Sequence, residues 1–364
     1  MRDARVEALR LAAIAGIAIF HTFQPWFELA VSGAWTPGAP ALWVLGFISL
    51  LGAFGNHVFF AISGYFMIPS AVRTSREEGY WRVQVRKTAR RLAVIFASVT
   101  LWAVVALAVG VLIVPVPGVG LASFSWLTVG LEFIWVYAAL MVATPLIGWL
   151  WARVRRPGAV AVLIAAVILA VSAYIAFVSP GGSERGLFEW RKLMSAASYL
   201  ASFLMGGVVA KMRDSCRASG LRLPFAFALV ASLAVEGIAA FTGNLWLLSA
   251  LSFKSTSLLS FALAITALMV ATAPSSSESN GGNGRLASAV RWITPAILGY
   301  YIVQSMFGGL WRPAFEIWCR GSLELAGFSG LLFAGVAFSL VLLVLVLIAD
   351  RLVRLPLLRL LRLR

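Results

Sequence analysis

Residues 5–29 read RVEALRLAAIAGIAIFHTFQPWFEL. From Leu11 to Phe20 no side chain carries a charge or an amide, and the apolar character resumes after His21. A run of this kind, about twenty residues long, is what a helix needs to cross roughly 30 Å of hydrocarbon. The stretch therefore predicts a transmembrane helix with an imidazole near its middle. Arg10 precedes His21 by eleven residues, a step that rises about 16 Å and completes about three turns. Both side chains then leave the helix on one face, Arg10 at the cytoplasmic surface and His21 about halfway through. Ionisable groups at such depth are costly and mark function by default. A cation at the entrance with an imidazole above it suggests an anionic ligand reaching toward a buried base. Burial favours the neutral imidazole that a general base requires; the alternative use is a hydrogen bond to a carbonyl or hydroxyl of a neighbouring helix.

The rest of the chain repeats this pattern. Of its 364 residues, 61% are hydrophobic and only 12% charged, with a mean hydropathy of +0.92, which excludes an ordinary soluble domain. Hydropathy predicts ten spans, at 8–29, 42–68, 92–114, 126–150, 159–178, 193–210, 225–241, 257–273, 292–310 and 327–349. The predicted fold is an all-α polytopic transmembrane helix bundle, a single domain over residues 1–364 with no fused soluble domain. Basic clusters follow the even-numbered spans: Arg73 to Arg91, Arg153 to Arg156, Lys211 to Arg222, Arg285 and Arg291 behind a Gly/Ser-rich tract at 275–284, and Arg351 to Arg364. Ten crossings put all of them on the side of the N-terminus, so both termini are expected in the cytoplasm.

The net charge of +16 is thereby assigned to membrane topology, and no nucleic-acid partner is expected. The opposite loops hold scattered charges, among them Glu184, Arg185, Lys254, Arg312, Glu316, Arg320 and Glu324. Cys216 and Cys319 fall on opposite sides of the bilayer, which argues against a disulfide between them. The first span is read as an uncleaved anchor, because its apolar run is long and contains a histidine.

Few polar residues remain inside the spans: Asn56, His57 and Ser63 in the second, Glu132 in the fourth, Glu236 in the seventh and Gln304 in the ninth. Hydrogen bonding between helices accounts for Asn56, Ser63 and Gln304 more readily than a site does. A carboxyl group at depth must be protonated, paired or hydrated, so Glu132 and Glu236 are functional candidates or ion-pair partners. His57 is either a second catalytic group or a packing residue. Ahead of the third span, Arg82, Arg86, Lys87, Arg90 and Arg91 crowd one helical entrance. Lys87 and Arg90 share a helix face, and with Arg86 they form either a phosphate-binding cluster or a set of snorkelling anchors.

The residues 7–10, Glu-Ala-Leu-Arg, with His21 eleven positions later, resemble the opening motif of the acyltransferase 3 family of bacterial integral-membrane O-acyltransferases. Phe59-Phe60-Ala61-Ile62-Ser63-Gly64-Tyr65 resembles that family's second-span signature, and Arg86-Lys87-Thr88-Ala89-Arg90 its Arg-x-x-Arg motif, with Lys87 in place of the first arginine or Arg86 displaced by one. Trp135-Val136-Tyr137 with Pro145 is similar to its aromatic fourth-span segment. Gly299-Tyr300-Tyr301-Ile302-Val303-Gln304 resembles a ninth-span pattern ending in histidine, here replaced by Gln304. Lysine also lacks arginine's two-pronged grip on phosphate.

The resemblance implies transfer of an acyl group, usually acetyl, from a cytoplasmic acyl-CoA to a hydroxyl of a cell-envelope glycan or glycolipid in the bacterial inner membrane. It assigns His21, Glu7 and Arg10 to the reaction centre, with His21 as base or transient acyl carrier. Arg10, Arg86, Lys87, Arg90, Ser63 and Tyr65 are expected to hold acetyl-CoA or another acyl-CoA, and Glu28, His57, Glu132, Trp135, Tyr137 and Gln304 to line the acceptor side; a solvated helix end is the other account of Glu28. No metal is expected. A transporter or flippase of a polar or anionic solute is the alternative that buried Glu132, Glu236, His21 and His57 leave open.

Overall fold

The computed structural model describes residues 4–122, 124–177, 187–212, 218–252, 257–273, 288 and 292–363. Cys216, Arg213, Arg217, Glu184, Arg185, Lys254, Arg285, Arg291 and the tract 275–284 lie outside the described residues. Cys319 is buried as a free thiol. All regular structure among the described residues is helical, and eight helices are long and apolar enough to cross a membrane. The chain is a multi-pass membrane protein. Its backbone divides into two compact units, Met1–Arg76 with Leu146–Val290, and Glu77–Pro145 with Arg291–Arg364.

The first unit contains α1 (Ala4–Val31), α2 (Ala39–Thr74), α6 (Pro157–Phe177), α7 (Leu187–Met212), α8 (Ala218–Phe241), α9 (Leu245–Ser252) and α10 (Leu258–Thr272). Its axis is α2, apolar on every side and covered on most of them by α1, α7, α8 and α10, as expected of a helix without a polar face. The core gathers Leu50, Phe54, Val58, Ile62 and Tyr65 of α2 with Ala201 and Val209 of α7 and Phe261 and Leu268 of α10. Helix α6 is equally apolar yet mostly exposed, with Leu163, Val167 and Tyr174 all more than half accessible. Such a surface belongs against lipid.

Hydrocarbon offers helices no hydrophobic reward for associating, so close backbone contact must supply the attraction. Glycines make that contact here. A Cβ on Gly64 would overlap the carbonyl oxygen of Phe203, and one on Gly206 that of Ala61, so α2 and α7 touch backbone to backbone. Across the other face, a Cβ on Gly55 would stand 2.6 Å from the carbonyl oxygen of Ala13, and one on Gly16 3.2 Å from that of Leu51. The Gly64 of the second-span signature is therefore a packing residue.

The second unit contains α3 (Tyr80–Leu112), α4 (Ser125–Thr128), α5 (Glu132–Trp151, shared at Pro145 with the first unit), a 3-10 turn (Thr294–Ala296) and α11 (Ile297–Leu360). Three boundaries differ from the sequence expectation. Helix α3 begins at Tyr80, twelve residues before hydrocarbon-compatible sequence starts, because Gly79 opens it in a left-handed conformation (φ 74°) and buried Gln84 and Thr88 continue its inner stripe outside the apolar run. The fourth span is broken, and α5 opens with Glu132 in its first turn. Glu132 is thus at a helix N-terminus, where the dipole favours an acid, rather than at mid-span. The loop expected between the last two spans is helical, Arg312 and Glu316 pairing at 3.5 Å across one turn, and α11 reverses only at Ala326 and Gly327 (φ 64°).

Replacing Gly64 or Gly206 with alanine should cost about 1–3 kcal/mol or prevent folding, read as a lower thermal midpoint in detergent. Gly158→Ala, where a Cβ meets nothing within 4 Å, should leave the midpoint unchanged; equal effects at all three positions would refute backbone contact as the cause.

Candidate active site

The face of α1 that carries Arg10 and His21 changes character along its length. Glu7 is 2% exposed, and Ile14 and Ile17 are buried; His21 and Glu28, one and three turns further, are exposed. Gln24, between them, donates from Nε2 to Oε1 of Glu28 at 2.9 Å. The lower half of the face is closed by packing and the upper half is an open polar stripe. The expectation of an enclosed imidazole is corrected accordingly: the His21 ring is exposed, 5.1 Å from that of Phe20. The helix turns its Gly16 and Ile17 level toward α2, and cover ends one turn higher.

At the lower end, Nη1 of Arg10 donates to both carboxylate oxygens of Glu7, at 3.0 and 3.3 Å. Three-residue spacing on a helix makes this pair, and the buried carboxylate offsets part of the arginine's charge. The guanidinium also lies over the ring of Phe66, 5.8 Å from its centroid. Phe66 directly follows the second-span signature, so α1 and α2 bring two sequence motifs together through a residue that the sequence reading passed over. Arg5 extends the tie, donating from Nη2 to the carbonyl of Ala273 at 2.7 Å.

The second-span residues turn inward. Ser63 donates to the carbonyl of Phe59 at 2.8 Å, within its own helix, and Tyr65 is in the hydrophobic core. His57 is the fully buried imidazole of this unit, with Nδ1 2.7 Å from Oγ of Ser202 and edge-on rings of Tyr199 and Phe261 around it. Asn56 donates to the Tyr199 hydroxyl at 3.1 Å. Glu236 is fully buried on α8.

In the second unit, Arg86, Lys87 and Arg90 are all exposed along α3, where three- and four-residue spacings keep them on one side. Trp135 spends its indole N–H on the carbonyl of Leu127 at 2.7 Å and leans on Phe96, so it braces the break between α4 and α5. Tyr137, like Glu132, is half-buried on α5. Tyr301 stacks on Phe133 at 4.4 Å, and Ser305 donates to the carbonyl of Gly130. Gln304, between them in sequence, keeps Oε1 buried with no hydrogen-bond partner among the described residues.

One constellation escaped the sequence reading. Arg354 is one of the arginines that the sequence assigns to membrane topology, yet it is 2% exposed and paired with the fully buried Asp350. Its Nε and Nη2 grip the two carboxylate oxygens at 2.7 Å each. Nη2 also reaches the carbonyl of Pro295 at 3.0 Å, Nη1 the Ser98 hydroxyl at 3.3 Å, and the Trp102 indole donates to Asp350 at 3.1 Å. The Asp350 carboxylate fills the space where Gly299 lacks a Cβ, which explains the glycine opening the ninth-span motif. Asp-x-x-x-Arg at the end of an apolar run was the available signal, since four-residue spacing pairs them on one face.

Among the described residues no group of three or more His, Cys, Asp or Glu could hold a metal. The chain belongs to the acyltransferase 3 family, whose acyltransferase-domain model matches residues 3–350. It is a membrane acyltransferase, with an acyl donor and an acceptor as substrates, which decides between enzyme and transporter. Comparison with curated proteins and with solved structures gives no match.

Breaking the buried pair by Asp350→Asn or Arg354→Met should destabilise the protein by about 3–5 kcal/mol, whereas the double replacement Asp350→Leu with Arg354→Met should recover much of that loss. Thermal unfolding of the three variants checks this. Additive losses would mean that the two charges do not depend on each other.

Proposed function

We propose that this acyltransferase moves an acetyl group from cytoplasmic acyl-CoA to a hydroxyl of a cell-envelope glycan or glycolipid, in the inner membrane of a bacterium, through a bundle of ten crossings with both termini cytoplasmic. The observation that carries the reading is the α1 face, closed from Glu7 to Ile17 and open from His21 to Glu28. A polar stripe on a membrane helix is tolerable where it lines water or substrate. His21, at the boundary, can meet a hydroxyl arriving from the open half.

In this reading Nε2 or Nδ1 of His21 takes the hydroxyl proton as the acceptor oxygen attacks the thioester carbonyl. The carbon–sulfur bond breaks, the CoA thiolate leaves, and it receives the proton from the imidazolium. Gln24 and Glu28 contribute acceptor contacts above it. Glu7 fixes the Arg10 guanidinium below, and the basic face Arg86, Lys87 and Arg90 binds donor phosphates, arginine more firmly than lysine. His57, Ser63, Tyr65 and Trp135 support the helices that carry these groups, and Tyr137, Glu132 and Gln304 are retained as candidate acceptor contacts.

His21→Ala in purified, correctly inserted protein should lower acyl transfer and thioester hydrolysis at least about 100-fold; near-normal turnover would remove it from the mechanism. Arg90→Gln should raise KM for acetyl-CoA in a salt-dependent manner, whereas Gln24→Leu should raise KM for the acceptor alone. Mass measurement of envelope glycans from expressing cells checks the acceptor class, and unmodified glycans beside a modified lipid would move the assignment.

A further inference from the structure

The C-terminal end of α11 runs antiparallel to α3, and three contacts set their register. Trp102 bonds Asp350, Ser98 bonds Arg354, and eight residues below Ser98 on α3 Nε of Arg90 donates at 3.4 Å to the carbonyl of Leu363, nine residues after Arg354 and just past the end of α11. Position numbers on α3 fall as those on the α11 side rise, nearly step for step, so the two segments run together for about 12 Å from the buried pair. The buried Arg354 network, bonded through all three guanidinium nitrogens, thus brings residues 359–363 to the basic face of α3.

That end is built in an unusual way. Arg362 donates its backbone N–H to the carbonyl of Arg359 and Leu363 to that of Leu358, both at 3.0 Å, which is the paired bonding that closes a helix when the next residue is left-handed. Glycine ordinarily fills that position, yet here Arg362 adopts φ 55°, alone in positive φ among the described non-glycine residues. Arginine at this position carries backbone strain that glycine would not. It also satisfies carbonyls at the helix end, so the partial negative charge there is muted. Arg359 and Arg362 are both exposed, as are Arg86, Lys87 and Arg90. Topology alone calls for positive charge on this side of the membrane but not for arginine at a glycine position.

We infer that Arg359 and Arg362 of the chain end join Arg90 in a site for a phosphate ester. In the functional reading above, on which this rests, the phosphate belongs to the acyl-CoA donor; the same chemistry is offered by a phospholipid headgroup, and two measurements on the full-length protein separate the sources. The variant is Arg362→Gly with Arg359→Gln, which removes both cations while placing the residue best suited to the left-handed turn, so folding is preserved or improved.

The first measurement is calorimetric binding of acetyl-CoA, and of acetyl-CoA lacking its 3′-phosphate, in neutral detergent. Wild-type protein should prefer the fully phosphorylated donor, and the variant should bind it about tenfold or more weakly, while Arg156→Gln, an exposed arginine of the first unit, has no effect. The second is the thermal midpoint in phosphatidylcholine nanodiscs with and without phosphatidylglycerol. A stabilisation by phosphatidylglycerol that the variant loses, with donor affinity intact, assigns the phosphate to lipid. A variant equal to wild type in both measurements overturns the inference. Wild-type protein that binds no acetyl-CoA refutes the donor reading itself, and the lipid measurement then stands as the separate test of the chain end.

Discussion

Backbone contact between helices is the constraint on which the first unit rests. Side chains that would gain nothing by leaving lipid cannot hold α2 against α7, so Gly64 and Gly206 bring the peptide groups themselves into contact. With α2 seated there, its opposite face meets α1 through Gly55, Gly52 and Gly16. Phe66 then falls under Arg10, and the polar stripe of α1 is closed below and open above. The exposure of His21 is a consequence of where this packing stops.

The second unit solves a different problem by different means. Its helices α3 and α11 meet at an ion pair that lies within α11, with every carboxylate oxygen and most donors engaged, and that bonds the Trp102 indole and the Ser98 hydroxyl of α3. Buried ion pairs seldom add net stability over well-packed apolar groups, but they penalise every arrangement that separates them. Here the Trp102 and Ser98 bonds to those buried charged groups would be lost if α3 slipped along α11, which sets which residue of one stands beside which residue of the other. Register, more than stability, is what this pair contributes, and the cationic chain end follows from it.

Much of this was readable from residue order. Spans announced themselves through apolar runs, and the eleven-residue interval between Arg10 and His21 placed both on one face because helical geometry allows nothing else. Exposure along that face was not readable, since an apolar neighbour such as Ile17 looks the same whether another helix or nothing covers it. Ser63 and Tyr65 carried a recognisable signature, yet their orientation toward their own helix and core depended on how α2 met α7. The burial of Arg354 is not legible for a related reason: an arginine following an apolar run resembles every other snorkelling cation, and only the fold sets Asp350, Ser98, Trp102 and Pro295 around it.

By itself, then, the order of residues determined helix content, the membrane as solvent, the family motifs and the alignment of groups within single helices, because all of these depend on local spacing and composition. Tertiary structure alone decided which half of α1 is open, which histidine is enclosed, how Phe66 comes under Arg10, and how Leu363 comes beside Arg90. Those outcomes depend on contacts between residues tens to hundreds of positions apart, and no interval along the chain encodes them.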